Sequence, residues 1–365
     1  MNKISKLVIA AGTVAILCVG AVWSGLVPNP LQPPRRGPAQ PDMVLDTAQR
    51  QQILAQVIDH LNGYYVFPDK AKAMEAELRA RDQRGEYNSI SSAADFAQTL
   101  TADIQRITND RHLDVAYSAA VLPPKAEFEA QAETGSAESL AAERKRNFGV
   151  ARVERLALNI GYFDLRAFST PDGAERKFAA AMSLLADTDA LIIDLRFNSG
   201  GEPATVALLA SYLFEQKTRL NDIYDRGQDK TTQYWTDTPS GPNYGSQKKV
   251  YLLTSQDTFS AAEDFAYALK NLKRATLVGE ATGGGAHPGS EHRLTDHFAM
   301  IVPSGRSISP ITNTDWEGVG VQPDISIDAD KALEKAQSLY LTELLATAQD
   351  EATRARINKR LAEVN

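Results

Sequence analysis

An apolar run, Val250–Leu253, precedes a short polar turn and then an amphipathic stretch that begins near Ser260 or Ala261. The pattern predicts a buried strand, a turn and a helix, with Ser260 at the junction. A serine there can project its hydroxyl into a cleft. The first N–H groups of the helix can then hold a developing oxyanion. Serine is also a preferred helix N-cap, and this segment alone does not separate the two roles.

Four other segments bear on that choice. Leu191-Ile192-Ile193-Asp194-Leu195-Arg196-Phe197-Asn198-Ser199-Gly200-Gly201 reads as a buried strand running into a glycine turn. Paired glycines let the backbone approach a ligand and turn N–H groups toward it, or simply make a tight strand–helix turn. Gly279-Glu280-Ala281-Thr282-Gly283-Gly284-Gly285-Ala286-His287-Pro288-Gly289 is a second glycine loop. It carries no Lys-Ser/Thr after its glycines and no following helix, which excludes a Walker loop and a dinucleotide fingerprint. It is either a substrate-lining loop or a connector. His112, in Asn109-Asp110-Arg111-His112-Leu113, and Glu317, in Asp315-Trp316-Glu317-Gly318, are each ordinary surface or structural residues when taken singly.

Hydrophobic periodicity outlines the elements that must position these residues. Residues 45–110 read as three amphipathic helices, over Ala48–Asn62, Lys70–Arg84 and Ala93–Ile107. Leu113–Tyr117 suggests a strand, and Ala126–Arg146 a helix or an insertion. From Phe148 strands and helices alternate. The strands are Ala151–Val153, Leu156–Tyr162, Ala190–Asp194, Lys249–Leu253, Ala275–Val278 and Phe298–Pro303; the helices are Ala174–Leu185, Pro203–Leu213 and Ala261–Leu272. Such alternation implies a largely parallel sheet covered by helices. The resulting organisation is a signal or anchor segment (1–27), a proline-rich spacer (28–43), an N-terminal helical domain (44–110), an α/β core (111–330) and C-terminal helices (331–365).

The chain has 365 residues and a net charge of −7, and four cations without an acid sit in its first 40 residues. The remainder is therefore more acidic than the whole, which argues against a nucleic-acid partner. Lys3 and Lys6 precede an apolar stretch, Leu7–Val27, long enough to span a bilayer and oriented to export the rest of the chain. Trp23-Ser24-Gly25 is a poor cleavage site, so an uncleaved anchor is favoured over a cleaved signal, with the body extracytoplasmic: periplasmic or in the cell envelope. The only cysteine, Cys18, lies inside that stretch, and Leu17 before it is too large for a lipoprotein signal. The body has no thiol for catalysis, disulfides or metal binding. His287, His292 and His297 recur every five residues, on no common helical face, and no His-Glu-x-x-His occurs. No metal or organic cofactor is expected.

Taken together and in order, these segments resemble the tail-specific or C-terminal processing protease family, which also includes the tricorn core protease and the interphotoreceptor retinoid-binding modules. The matching pieces are Asp-Arg-His-Leu, Asp-Leu-Arg-x-Asn-x-Gly-Gly, Thr-Phe-Ser-Ala-Ala-Glu, Gly-Glu-x-Thr-Gly-Gly-Gly and Trp-Glu-Gly-x-Gly-Val-x-Pro-Asp, spanning about residues 45–330. The resemblance implies a ClpP/crotonase-like α/β core, a mixed sheet covered by helices, beside the helical domain. It departs from the family pattern twice. The glycine loop lacks the lysine of a Ser-Lys dyad, and Lys270 and Lys273 are expected to face solvent. The roughly 40 residues between His112 and the core are too few for a PDZ domain, so the chain is similar to the PDZ-less branch.

The resemblance implies a serine peptidase acting on protein or peptide substrates. Ser260 would be the nucleophile, His112 the general base, and Glu317 the residue that orients His112 directly or through another polar side chain. The N–H groups of Gly200 or Gly201 and of Ala261 would form the oxyanion hole. His287 is the rival base, in the loop with Gly284 and Gly285. The alternative is a non-catalytic carrier of an apolar ligand, a retinoid or lipid, on the same scaffold; a structural role in the cell envelope is a third reading. Substrate identity and oligomeric state stay open.

Overall fold

The structure, a computed structural model, describes residues 40–134 and 137–365. The expected anchor, residues 7–27, and most of the proline-rich spacer lie outside the described residues. Among the described residues no helix is long and apolar enough to cross a membrane.

Three helices open the described chain: α1 (Thr47–Tyr64), α2 (Pro68–Gln83) and α3 (Ala93–Thr108). Asp46 caps α1 by accepting from the Gln49 N–H, and Ser92 caps α3 through the Asp95 N–H. Pro68 starts α2, where its missing N–H costs nothing. Strand β1 (Asp114–Tyr117) follows, and then two helices, α4 (Lys125–Thr134) and α5 (Ala137–Lys145), where the sequence suggests one helix or an insertion.

The central sheet has β2 (Val150–Leu156), β3 (Ile160–Leu165), β4 (Ala190–Asp194), β7 (Lys249–Thr254), β8 (Thr276–Gly279) and β12 (Ile325–Ser326), in spatial order β12-β8-β7-β4-β3-β2. All neighbours are parallel except β2 and β3. The expected strand over Leu156–Tyr162 is broken: a 3-10 turn with Leu158 and Asn159 at positive φ reverses the chain there. Between the strands run α6 (Pro171–Leu185), α7 (Pro203–Ser211) and α8 (Ala261–Asn271).

Strand periodicity sorts the core into two layers. Leu191, Ile193, Leu252 and Leu277 face a cluster shared with α6, α7 and α8. Ala190, Ile192, Tyr251, Leu253 and Val278 face the opposite way, toward α9 (Ala332–Thr347) and α10 (Glu351–Val364). Both faces are dry, so these strands read as unbroken apolar runs.

Two smaller antiparallel sheets complete the fold; the strands expected at Leu113–Tyr117 and Phe298–Pro303 are present in the first, apart from the central sheet, while the second was not expected. One pairs β1 with β10 (Phe298–Pro303) and β9 (Gly289–Arg293). Val115, Phe298, Met300 and Val302 of this sheet close the core of the N-terminal helices. The other joins β11 (Gly305–Ile308) to the hairpin β5 (Arg219–Asp225) and β6 (Lys230–Trp235). The outer strand of that hairpin is exposed and polar along most of its length, so it offers no apolar alternation to read.

One buried acid is left in an uncomfortable place. Asp264, in the first turn of α8, is 4% exposed, and its Oδ1 has no hydrogen-bond partner among the described residues. Burial pushes its carboxyl from 3.8 up to about 7, against a smaller opposing effect of Asn221. The folded state therefore holds the proton more tightly than the unfolded chain does. Stability is full below the unfolded value near pH 4 and falls as pH rises through about 7. Asp264→Asn is expected to remove that slope and to raise stability at pH 8 by roughly 1–3 kcal/mol. Urea unfolding of both proteins across this pH range measures it.

Candidate active site

Ser260 stands between β7 and α8 with φ 56° and ψ −122°. A non-glycine residue held there costs on the order of 1–3 kcal/mol and persists only where its surroundings enforce it. The enforcement is visible. The Phe259 N–H donates to the Asn198 carbonyl at 3.0 Å, and the Thr258 hydroxyl to the Leu195 carbonyl at 2.8 Å. Both bonds clamp the turn before Ser260 onto the glycine turn after β4. Gly200 touches it directly: a Cβ there would stand 2.7 Å from the Ser260 Cβ and 2.9 Å from the Phe259 carbonyl oxygen.

The oxyanion donors expected from the sequence separate into two kinds. The Gly200 N–H is occupied by Asn198 Oδ1 at 2.9 Å, so Gly200 serves close approach and is not a free donor. The N–H groups of Gly201 and Ala261 have no acceptor among the described residues. Two unpaired donors thus stand near the serine: Ala261 follows it at the helix start, and Gly201 follows Gly200, which touches it.

Glu263, fully buried one turn into α8, joins the serine turn to the second glycine loop. Its Oε2 accepts from the Ser260 N–H at 2.8 Å and the Gly285 N–H at 2.8 Å. Its Oε1 accepts from the Gly284 N–H at 2.7 Å and from the Thr282 hydroxyl. Burial pushes the carboxyl up, and these four donors oppose that by favouring the carboxylate. Gly284 and Gly285, expected as substrate-loop residues, therefore spend their N–H groups on Glu263. Thr282 passes the linkage on by accepting from the Val321 N–H at 2.7 Å.

His112 reaches this site from the end of α3. Asn109 ends that helix in the left-handed conformation, and Asn109 Nδ2 and Arg111 Nη1 then bond the carbonyls of Gly318 and Gly283. The imidazole lies against the Phe259 ring, centroids 4.6 Å apart, and beside Gly285, where a Cβ would be 2.6 Å from Cε1. It is 15% exposed. Burial pulls His112 from 6.5 down to about 4, more than Asp110 raises it, so the ring is neutral at pH 7 and able to accept a proton. Among the described residues no hydrogen bond joins it to Ser260. Catalytic contacts of this kind often tighten only around substrate.

The carboxylate beside His112 is Asp110, whose Oδ1 is 3.9 Å from Nδ1 and accepts the His112 N–H at 3.0 Å. Asp110 Oδ2 takes bonds from the Tyr65 hydroxyl at 3.1 Å and from His287 Nδ1 at 2.8 Å. Glu317 sits on the far side of His287: its Oε2 is 3.5 Å from Nδ1 and accepts the Ala286 N–H at 2.6 Å. Burial and then Asp110 push the Glu317 carboxyl up to about 7. Burial pulls His287 down, but Asp110 and Glu317 outweigh it and leave its value raised. The structure thus gathers Ser260, Gly201 and Ala261 on one side. It sets His112 against Phe259, beside that group, and links Glu317 to His112 through His287 and Asp110. Lys270 is not free in solvent: it bonds the Gln322 carbonyl and lies 3.1 Å from Asp324.

Two residues of this network carry no role in the sequence reading. Glu263 had a usable signal, since Ser-Ala-Ala-Glu is a capping-box spacing. Asp110 had none, because its partners Tyr65 and His287 are 45 and 177 positions away.

A model of peptidase family S41 matches residues 159–327, and a model described as the N-terminal domain of that peptidase in eukaryotic IRBP matches residues 44–146. The chain is 29% identical over 198 residues to the chloroplastic carboxyl-terminal-processing peptidase 1 of Arabidopsis thaliana, covering 52% of this chain and 39% of that protein. It is 29% identical over 168 residues to the carboxyl-terminal-processing protease of Synechocystis, covering 46% and 37%. The chain thus spans less than half the length of these relatives. Among solved structures, a lipoprotein from Streptococcus agalactiae superposes with TM-score 0.51 at 15% identity, covering 84% of this chain and 98% of that one. Mature CPAF superposes with TM-score 0.54 at 14% identity, covering 86% and 98%. These likenesses establish the fold, a mixed sheet covered by helices with a helical N-terminal region.

Replacing Glu263 by Gln puts an NH2 group among four donors. The variant is expected to lose roughly 2–4 kcal/mol of stability, read as a lower denaturation midpoint in urea. An unchanged midpoint would show that the carboxylate does not hold the loop.

Proposed function

Because the chain belongs to peptidase family S41, we propose that it is a serine-type peptidase with Ser260 as nucleophile. The observation that carries this reading is the strained Ser260 backbone, with unpaired N–H donors at Ala261 next to it and at Gly201 beside the Gly200 that touches it, an arrangement that a helix cap does not need. Ser260 Oγ attacks the peptide carbonyl while His112 takes its proton. The oxyanion of the tetrahedral intermediate lies between the Gly201 and Ala261 N–H groups. His112 then gives the proton to the leaving amine, and water releases the acyl group by the same route. Glu317 acts on His112 at a distance, through His287 and Asp110, which supports the relayed version of its expected role. His287 is the weaker choice of base, since it is 3% exposed and its Nδ1 is tied to Asp110.

The substrate is a protein or peptide. Residues 7–27 favour an extracytoplasmic site of action, with the body held off a membrane by the proline-rich segment.

Treating the full chain with a fluorophosphonate probe tests the assignment. The wild type is expected to label, Ser260→Ala to lose labelling completely, and His112→Ala to label about 10²–10⁴-fold more slowly. His287→Ala should label faster than His112→Ala; the reverse order would move the base to the glycine loop. A folded wild type that fails to label would return the apolar-ligand carrier as the better reading.

A further inference from the structure

The cluster behind His112 has a property that a proton relay does not use up. Two carboxylates, Asp110 and Glu317, face the same imidazole nitrogen, His287 Nδ1, at 2.8 and 3.5 Å. One proton on that nitrogen cannot satisfy both acids. Glu317 Oε1 is buried and has no hydrogen-bond partner among the described residues. The three groups offer ligand atoms that all lie within 4.8 Å of one another. Tetrahedral zinc with bonds of 2.0–2.2 Å places its ligand atoms roughly 3.4 Å apart, between the two distances found here.

The surroundings also suit a metal ion. The coordinating oxygens are held from behind, Asp110 Oδ2 by the Tyr65 hydroxyl and Glu317 Oε2 by the Ala286 N–H. Such outer hydrogen bonds orient metal ligands. Phe67 packs edge-on against the His287 ring, centroids 5.2 Å apart, and fixes its plane. A cleft of about 360 Å³ lined by His287, Glu317 and Asp315 leads in from the surface, so an ion has a path to the three groups. One imidazole with two carboxylates suits zinc better than calcium or magnesium, which take oxygen ligands and larger coordination numbers or more water.

The geometry points to a zinc-binding site formed by Asp110, His287 and Glu317, which when filled suppresses hydrolysis at Ser260. Binding releases to solvent the proton on His287 Nδ1, and the proton that Glu317 holds where it is protonated, and leaves both carboxylates as ligands. A dication there neutralises Asp110, the carboxylate that would favour His112 as imidazolium, and takes apart the link from Glu317. The site stands on its own residues; only the inhibitory effect rests on the peptidase reading.

Calorimetric titration of the chelator-treated full chain with zinc chloride tests the site without reference to activity. One zinc per chain is expected, with affinity in the micromolar range or better. His287→Ala and the conservative Glu317→Gln should each weaken it about 10–100-fold. His292→Ala should not, although His292 lies near His60 and is the obvious competing histidine pair. No zinc binding overturns the proposal, as does binding that is lost with His292→Ala and kept with His287→Ala. Anomalous scattering at the zinc edge from wild-type crystals locates the ion directly and decides the matter if a variant fails to fold. Zinc should also slow fluorophosphonate labelling of the wild type about tenfold or more; zinc binding with unchanged labelling refutes the inhibitory role. Absence of labelling in the zinc-free chain would refute the peptidase reading and leave the titration intact.

Discussion

A single buried carboxylate, Glu263, sets the geometry of everything around Ser260. It draws the serine turn and the glycine loop together by accepting from Ser260, Thr282, Gly284 and Gly285. Burying a charge is costly unless donors surround it, and here each carboxylate oxygen accepts two bonds. The arrangement has two consequences. The strained φ of Ser260 is held in place by a bond to its own N–H. The loop that carries His287 is fixed to the helix that carries the nucleophile.

The remaining parts meet across this join. The helical N-terminal region ends at Asn109, and the bonds from Asn109 and Arg111 to the Gly318 and Gly283 carbonyls bring its last loop onto the α/β core. His112 arrives by that route, whereas Ser260 comes from the core. Asp110 is the hub between them, touching Tyr65, His287 and the backbone of His112. The site therefore depends on contact between two hydrophobic cores, one closed by β1 and β10 and the other by the central sheet. A core substitution far from Ser260 can shift His112 relative to the serine without touching either residue.

Three environments give three acid–base characters within one cluster. His112 is buried against Phe259 with its ring nitrogen Nδ1 unpaired, and is driven neutral. His287 is buried between two acids, which hold its proton more firmly. Glu317 is buried next to Asp110, and like charge adds to desolvation. The residue types alone do not predict this ordering. It is set by which neighbour each group faces.

Much was legible in the chain itself. Apolar runs such as Leu191–Ile193 and Val250–Leu253 mark strands buried on both faces, because helices pack against each side of the sheet. The spacing of Ile53, Leu54, Val57, Ile58 and Leu61 marks a helix with one buried side. Ser260 at a strand–helix junction is also a local fact, whereas the need for glycine at Gly200 and Gly285 is not, since a Cβ there would collide with Ser260 and with His112, far away in the chain. The exposed hairpin β5–β6 was not legible, having no apolar alternation along its outer strand. Neither was the pairing of Asp110 with His287, nor the position of Glu317 beyond His287 instead of against His112. Those contacts join residues far apart in sequence, and only the closure of loops onto a common core decides them. Local sequence determined which residues had the chemistry; the tertiary structure decided which of them share a proton, because electrostatic coupling depends on separation in space and on burial.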